Sequence, residues 1–313
     1  MRAYNYHNSL VFYQRSLEYW AGLNEHFKYS EEDWLRLASE MAALEAIRFV
    51  PDVVLIVCGF ALHKSAFDLL AVNLALPLVL ILTESPYLDK NQRDLCDKAN
   101  IGLAFTNERK SVKYLSEVIP TVYLPHSYDP ERHKPMRVNA DYQSDVFFCG
   151  TMYEERQRLF DAVNWHGIDK RIVGPVIGDR EITGGMANAE LIKHYNGTKI
   201  ALNMHRTTVG CFDRRIRHIP DGTAWSIGPR AYEIAACGAF QICDESRGEL
   251  REVFGDTVPT FRDAEAMERL MRTFLADESA RLELAEKQRE RVKPCSFLAR
   301  ARDILIPAIE GGV

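Results

Sequence analysis

Two segments in the second half of the chain gather the side chains best suited to bind a charged ligand. The first is Asn203-Met204-His205-Arg206, a polar run directly after the apolar stretch Ile200 to Leu202. Arginine offers a planar fork of donors that matches a pyrophosphate, and histidine can donate a hydrogen bond from either ring nitrogen. A surface loop that simply begins with polar residues would give the same run.

The second segment, Trp225 to Cys243, is typical of a loop, a short helix and a buried strand. The Gly-Pro pair at 228–229 breaks the chain, and proline suits the first helical position. Arg230, Tyr232 and Glu233 then fall in the first turn of the predicted helix. A helix start with free N–H groups beside a fixed cation is a ready site for a phosphorylated ligand.

Strand ends carry the next candidates, because ligands bind beyond the carboxyl ends of the strands in open parallel sheets. Gly150 and Thr151 follow the apolar run Asp145 to Cys149, where a glycine lets the backbone approach a phosphate. Gly184 lies in a glycine pair just before a predicted helix. Ordinary tight turns explain both glycine sites equally well.

The elements that position these residues alternate between strand and helix over most of the chain. Such alternation predicts an α/β fold in which right-handed crossovers join parallel strands. The predicted strands of the two halves are, in order, Arg2–Tyr6, Val53–Val57, Leu78–Leu82, Ile101–Phe105, Asp145–Cys149, Arg171–Gly174, Lys199–Asn203, Ala239–Cys243 and Val258–Phe261.

The run Tyr-Glu-Ile-Ala-Ala-Cys-Gly-Ala-Phe-Gln-Ile, residues 232–242, resembles the donor-site helix and strand of retaining glycosyltransferases of the GT-B fold. It is most similar to the spore-maturation, CgeB-like branch. The resemblance implies two Rossmann-like domains that face a cleft, with Glu233 bonding the donor ribose and the Gly184 segment holding the nucleotide base. The wider pattern has a second acid eight positions before Glu233, but Trp225 stands there, so the contact to the sugar must differ.

With 313 residues the chain is long enough for two domains, each with its own core. We expect an acceptor-side domain with its linker over 1–140, a nucleotide-sugar-binding domain over 141–294, and a last helix within 295–313. By resemblance, that helix packs back on the N-terminal domain.

Two residues of the first domain and its linker are candidate catalytic groups. Glu84 follows the buried run Leu78–Leu82 and could position or deprotonate an acceptor hydroxyl. A helix cap or a surface acid is the alternative interpretation. His126, in Leu124-Pro125-His126, stands where the domain meets the linker, and a hinge packing role would also account for it.

Composition narrows the class of function. No metal site is expected, because histidines and carboxylates lack ligand spacing, and no cofactor motif of an NTPase or a nicotinamide enzyme occurs. Seven cysteines without a Cys-x-x-Cys pair favour reduced thiols in the cytoplasm. The net charge of −5 gives no general attraction to nucleic acid or to anionic lipid, and no transmembrane or signal pattern is seen.

The acceptor is the least determined partner. Arg214, Arg215 and Arg217 form a basic group in the loop 207–224. Three interpretations of this loop stay open: a solvated loop, a flap over the donor or a contact for an anionic acceptor such as nucleic acid. We expect a carbohydrate-type acceptor. Transfer to modified nucleic acid bases, an inactive nucleotide-binding protein and a nucleotide-sugar epimerase remain the alternatives.

Overall fold

Short apolar runs form two separate parallel sheets, as the alternation of strand and helix patterns predicts. The computed structural model describes residues 2–74, 78–98, 101–174, 186–209, 217–218 and 223–312. The chain divides into a first unit of residues 1–107, 111–123 and 307–313, and a second unit of residues 108–110 and 124–306. Residues 124–140, which the sequence assigned to the first domain, cluster with the second unit.

The first unit is built on a four-stranded parallel sheet of order β1-β2-β3-β4. Its strands are β1 Val54–Val57, β2 Leu78–Leu82, β3 Ile101–Thr106 and β4 Thr121–Tyr123. Its helices are α1 Tyr6–Leu23, α2 Glu31–Phe49, α3 Lys64–Asn73, α4 Asp89–Lys98, α5 Ser111–Leu115 and the C-terminal α13 Ile306–Gly312.

The second unit holds a five-stranded parallel sheet of order β11-β10-β7-β5-β6 and an antiparallel pair, β8 with β9. Its strands are β5 Ser144–Cys149, β6 Lys170–Val173, β7 Thr198–Asn203, β8 Thr208–Val209, β9 Arg217–His218, β10 Gln241–Asp244 and β11 Thr260–Phe261. Its helices are α6 Glu154–Asp161, α7 Asn188–Gly197, α8 Pro229–Ala236, α9 Glu249–Phe254, α10 Ala264–Ala276, α11 Glu278–Val292 and α12 Phe297–Arg300.

The predicted first strand, Arg2–Tyr6, is wrong. Helix α1 begins at Tyr6, and the side chain of Asn5 caps it by accepting a hydrogen bond from the Asn8 N–H at 3.3 Å. An asparagine just before an apolar helical pattern is a helix-start signal, and here it outweighs the tyrosines that favour a strand.

The predicted short helix at 229 forms as α8, with Gly228 at its N-cap and Pro229 in its first turn. Cys237 is the C-cap, and Gly238 follows with φ +77°, the left-handed conformation that glycine adopts without steric cost. The chain then enters β10, so α8 and β10 hold fixed positions relative to each other.

Among the described residues, no helix combines the length and the apolar character that crossing a bilayer requires.

Candidate functional site

The sheet of the second unit reverses its strand order at β5. From β5 the chain adds β6 on one side and then β7 on the other, so β5 and β7 flank a topological switch point. Such a point leaves a crevice beyond the carboxyl ends of the strands, which is where open α/β sheets bind ligands. Gly150 and Thr151 lie at the end of β5, and Asn203, His205 and Arg206 lie at the end of β7.

Arg156 ties these two strand ends together. Its Nη1 donates to the carbonyl oxygen of Thr151 at 2.7 Å, and its Nη2 donates to the carbonyl oxygen of Met204. The Gly150 N–H donates to Val173 O at 3.0 Å, which continues the pairing of β5 with β6. The turn after β5 is therefore held by Arg156 at the Thr151 carbonyl oxygen as well as by the sheet at the Gly150 N–H.

Asn203 is directed into the sheet. Its side-chain Nδ2 donates to Gln241 Oε1 at 3.3 Å, and the residue is buried. This hydrogen bond joins β7 to β10. Asn203 therefore stabilises the end of β7, after which His205 and Arg206 follow.

His205 pairs with Asp244 at the end of β10. The backbone N–H of His205 donates to Asp244 Oδ2 at 2.6 Å, and its ring Nδ1 lies 2.9 Å from the same oxygen. Burial acts to raise the pKa of the Asp244 carboxyl, but the charge and hydrogen bonds of His205 hold it well below its ordinary value. The carboxylate therefore stays ionised.

Arg206 is half-buried beside this pair. Its Nη1 donates to Tyr153 Oη at 3.4 Å, and its carbonyl oxygen accepts from Arg247 Nη2 at 2.8 Å. The buried Arg247 side chain thus holds the backbone at Arg206.

Arg230 and Glu233 form an ion pair one turn apart on α8, with Arg230 Nη1 2.5 Å from Glu233 Oε2. Burial acts to lower the pKa of Arg230, but Tyr195 and Glu233 together raise it, so the cation persists. His133 Nε2 lies 3.9 Å from Glu233 Oε1. Glu233 is thereby held on both sides at the start of α8.

The end of β5 lies beside this ion pair. Burial raises the pKa of the Cys149 thiol, with the Arg230 charge opposing that rise and the Glu233 charge adding to it. The turn at Gly150 and Thr151 and the start of α8 therefore share one electrostatic environment.

Tyr232 has no accessible surface and packs in the core with Phe254, the two ring centroids 6.5 Å apart. This position anchors α8 in the second unit. We assign Tyr232 to the support of the helix.

Trp225 occupies the position where the wider family pattern has an acid. Its backbone N–H and that of Ser226 donate to Glu108 Oε2 at 2.9 and 3.0 Å. Its ring covers Gly248, where an added Cβ would come within 2.1 Å of the Trp225 ring. Glu108 and Gly248 together fix the segment that leads into α8.

The two candidate catalytic residues lie in different units. Glu84 follows β2 in the first unit, is half-buried, and its N–H donates to Gln92 Oε1 at 3.0 Å. His126 lies in the second unit. Burial and the charge of His205 lower the pKa of His126 from 6.5 to about 4, so its ring is neutral at neutral pH.

For four predicted residues the structure describes no side-chain contacts. Gly184, Arg214 and Arg215 lie outside the described residues. Arg217 is described only as part of the strand pairing of β9, where it lies opposite Val209. These four stay predictions.

Within the described residues, one group of side chains has donor atoms close enough to surround a cation: His205, Cys243 and Asp244, with atoms within 4.8 Å of one another. Burial raises the pKa of the Cys243 thiol well above its ordinary value, which favours the protonated form. The Asp244 oxygen already accepts two hydrogen bonds from His205. The observed geometry is that of a hydrogen-bonded pair beside a thiol.

Sequence reasoning missed Asp244, Glu108, Arg156 and Arg247. Asp244 is the polar residue that ends an apolar strand, the same signal that selected the Asn203 run, and it was available. The other three are identified only by contacts with residues distant in sequence.

Residues 155–305 match the family model described as "Glycosyl transferase-like". The spore protein CgeB of Bacillus subtilis (strain 168) is 24% identical over 221 residues, which cover 66% of this chain and 67% of that protein.

Two solved structures illustrate the similarity in fold. A sucrose-phosphate synthase from Thermosynechococcus elongatus superposes with a TM-score of 0.57 at 14% identity, covering 92% of this chain and 82% of that one. Anabaena HepE, solved in complex with UDP-glucose, gives 0.59 at 13% identity, with 87% and 82% covered. The predicted α/β fold of GT-B type is confirmed.

Proposed function

We propose that the chain transfers a sugar from a nucleotide sugar to an acceptor hydroxyl, because residues 155–305 match the family model described as "Glycosyl transferase-like", 221 residues are 24% identical to the spore protein CgeB, and the fold is of GT-B type. Uridine diphosphate is the proposed nucleotide, since HepE was solved with UDP-glucose. Transfer with retention follows the resemblance of residues 232–242. The proposed location is the cytoplasm, and the six cysteines among the described residues are free thiols.

The observation that carries the proposal is the set of cationic and donor groups on the elements at the switch point. Arg156 joins the turn after β5 to the end of β7, Arg206 follows β7, and the charge of Arg230 acts on Cys149 at the end of β5. Charge that develops on a leaving diphosphate is stabilised by donors already in place, because little reorganisation is then needed. In this proposal Glu233 bonds the ribose, and neutralisation by arginines makes a metal ion unnecessary.

We propose that the first unit binds the acceptor. Glu84 is the proposed group that positions or deprotonates the acceptor hydroxyl. His126, neutral at neutral pH, is proposed to contact the transferred sugar by a hydrogen bond.

Calorimetric titration of UDP in buffer with excess EDTA tests the donor site. Loss of a hydrogen bond to a charged group costs about 1.5–3 kcal/mol, so Arg206→Ala and Arg230→Ala should each weaken binding by about tenfold or more. Arg262→Ala, at an exposed arginine of the same unit, is the matched control and should bind like the parent protein. Unchanged affinity in both site variants, or an absolute need for magnesium or manganese, would contradict the proposal.

Trp225 favours a second candidate, a protein that binds a nucleotide sugar without transferring the sugar. The acid that the wider family pattern has at this position is absent. Release of free sugar or a glycosylated product from a bound donor separates transfer from binding alone.

A further inference from the structure

The contact between His205 and Asp244 fixes both the main chain and the ring. One carboxylate oxygen accepts from the His205 backbone N–H at 2.6 Å and lies 2.9 Å from ring Nδ1. The His205 side chain is 6% exposed and that of Asp244 is 19% exposed. Because both bonds share one acceptor, the ring cannot turn without breaking one of them.

The pair also fixes which ring nitrogen carries a proton. An ionised carboxylate only accepts hydrogen bonds, so Nδ1 of His205 must be the donor. The second nitrogen, Nε2, is buried and meets no hydrogen-bond partner among the described residues. Buried polar atoms are normally paired, and an orphaned one marks a place where a ligand can supply the missing bond.

We propose that Asp244 is a positioning residue for the nucleotide donor: it holds His205 with Nδ1 protonated, so that Nε2 bonds a phosphate oxygen of a nucleoside diphosphate. The proposal rests on the proposed function and adds to it a residue and an atom. In the complex both ring nitrogens carry a proton, because the carboxylate and the phosphate oxygen only accept hydrogen bonds, and Nε2 donates to the phosphate oxygen. The Asp244 carboxylate then balances the charge of the imidazolium ring.

The surroundings favour an anion as the ligand of Nε2. Arg206 follows His205 directly, and the buried Arg247 holds the Arg206 carbonyl oxygen at 2.8 Å. The Arg247 guanidinium therefore lies at the main chain that directly follows His205, and its charge also acts on Cys243. A cation is the rival ligand, with Cys243 Sγ 3.8 Å from His205 Nδ1. A cation held by Cys243, Asp244 and Nδ1 would have to displace the proton that Nδ1 shares with Asp244, and it would leave Nε2 without a ligand.

Two variants of His205 test the roles of its two ring nitrogens separately. An asparagine amide can replace the Nδ1 donor, whereas the longer glutamine reaches the position of Nε2. His205→Asn should therefore keep the bond to Asp244 and lose about tenfold in UDP affinity, while His205→Gln should lose less. Asp244→Asn should weaken UDP binding by about tenfold through misplacement of the ring. Glu245→Gln, the same charge change at the exposed neighbour, should leave affinity unchanged.

The double variant tests whether Asp244 acts through His205. If it does, adding Asp244→Asn to His205→Asn causes no further loss, since interacting residues are not additive. Full additivity of the two losses overturns the proposal. So does stoichiometric zinc in the purified protein that dissociates in Asp244→Asn.

Nitrogen-15 NMR of the His205 ring provides a measurement on the unaltered protein, even if a variant fails to fold. We expect a protonated Nδ1 without ligand and a large change at Nε2 when UDP is added. An unprotonated Nδ1 in the ligand-free protein overturns the inference whether or not UDP binds. Failure of every nucleoside diphosphate to bind, with Nδ1 protonated as expected, instead overturns the proposed function and the diphosphate role of Nε2, and leaves the role of Asp244 in fixing the ring supported.

Discussion

His126 and His205 illustrate how neighbouring charges set the behaviour of a single residue. Burial and the charge of His205 lower the pKa of His126 from 6.5 to about 4. The folded protein therefore excludes a proton that the unfolded chain takes up near pH 6.5. The contribution of His126 to the free energy of unfolding is therefore fully present above pH 6.5. It is lost as the pH drops from 6.5 towards 4, because the unfolded state then binds more protons.

His126→Gln should remove most of this pH dependence. For the shift from 6.5 to about 4, the loss of stability between pH 7 and pH 5 is about 2 kcal/mol. Melting temperatures of the parent and the variant at pH 7, 6 and 5 measure it, and the variant should show the smaller decline. The control is His166→Gln, at an exposed histidine of the same unit. A decline equal to that of the parent in both variants would show that His126 is not the responsible group.

Strand β10 is joined to its neighbours through buried glutamines. Gln241 is the polar residue in the apolar run 239–243, and its Nε2 donates to the Ala231 carbonyl oxygen of α8 at 2.8 Å. Gln288 of α11 accepts from the Gln241 N–H at 3.0 Å, and its Nε2 donates to Thr257 O at 2.8 Å. These bonds connect β10 to a helix on either side of it in sequence, so the position of α8 depends on α11.

Gln288→Leu should destabilise the second unit. It leaves the Gln241 N–H and the Thr257 carbonyl oxygen without their partner, at a cost of about 1–3 kcal/mol for a buried unsatisfied group. The melting temperature should fall by several degrees. Gln157→Leu, at an exposed glutamine of α6, should change it little. Equal melting temperatures for the two variants would mean that the buried network adds no net stability.

Charge is the property of the entire chain that bears most on the acceptor. The net charge is −5, and the basic group Arg214, Arg215 and Arg217 is small beside it. Binding to nucleic acid releases counterions in proportion to the phosphates neutralised, so it depends strongly on salt. A carbohydrate-type acceptor carries no such dependence, and we propose it on this ground.

Transfer activity should therefore change little between 50 and 200 mM salt, whereas a protein with six or more phosphate contacts would lose roughly a thousandfold or more in affinity. Fluorescence anisotropy with a labelled DNA duplex checks this directly, and weak binding at both salt concentrations is expected. Replacing Arg214, Arg215 and Arg217 by alanine should have no more effect than replacing the exposed Arg251, Arg262 and Arg302. Salt-sensitive binding to DNA that only the first triple variant abolishes would establish a nucleic-acid acceptor.

Local chemistry in the sequence determined the elements that carry the site. The pair Gly228-Pro229 and the later Gly238 predicted both ends of α8, because proline and left-handed glycine act through their own backbone geometry. The apolar run Leu78–Leu82 predicted β2 with its exact bounds, since a strand buried on both faces needs a continuous apolar run. The strand predicted at Arg2–Tyr6 was wrong. Tyrosine favours strands in general, but the side chain of Asn5 caps a helix that begins at Tyr6.

Only the tertiary structure determined which side chains meet at the site. His205 and Asp244 are 39 residues apart, Arg156 and Met204 are 48 apart, and Gln241 and Gln288 are 47 apart. The first contact follows from the strand order β10-β7-β5, which sets the ends of separate strands side by side, and the other two follow from the packing of α6 and α11 against that sheet. That order results from the packing of crossovers around a common core. No run of neighbouring residues records it. For this reason the sequence offered both His205 and Asp244 as polar residues at strand ends, but not their pairing.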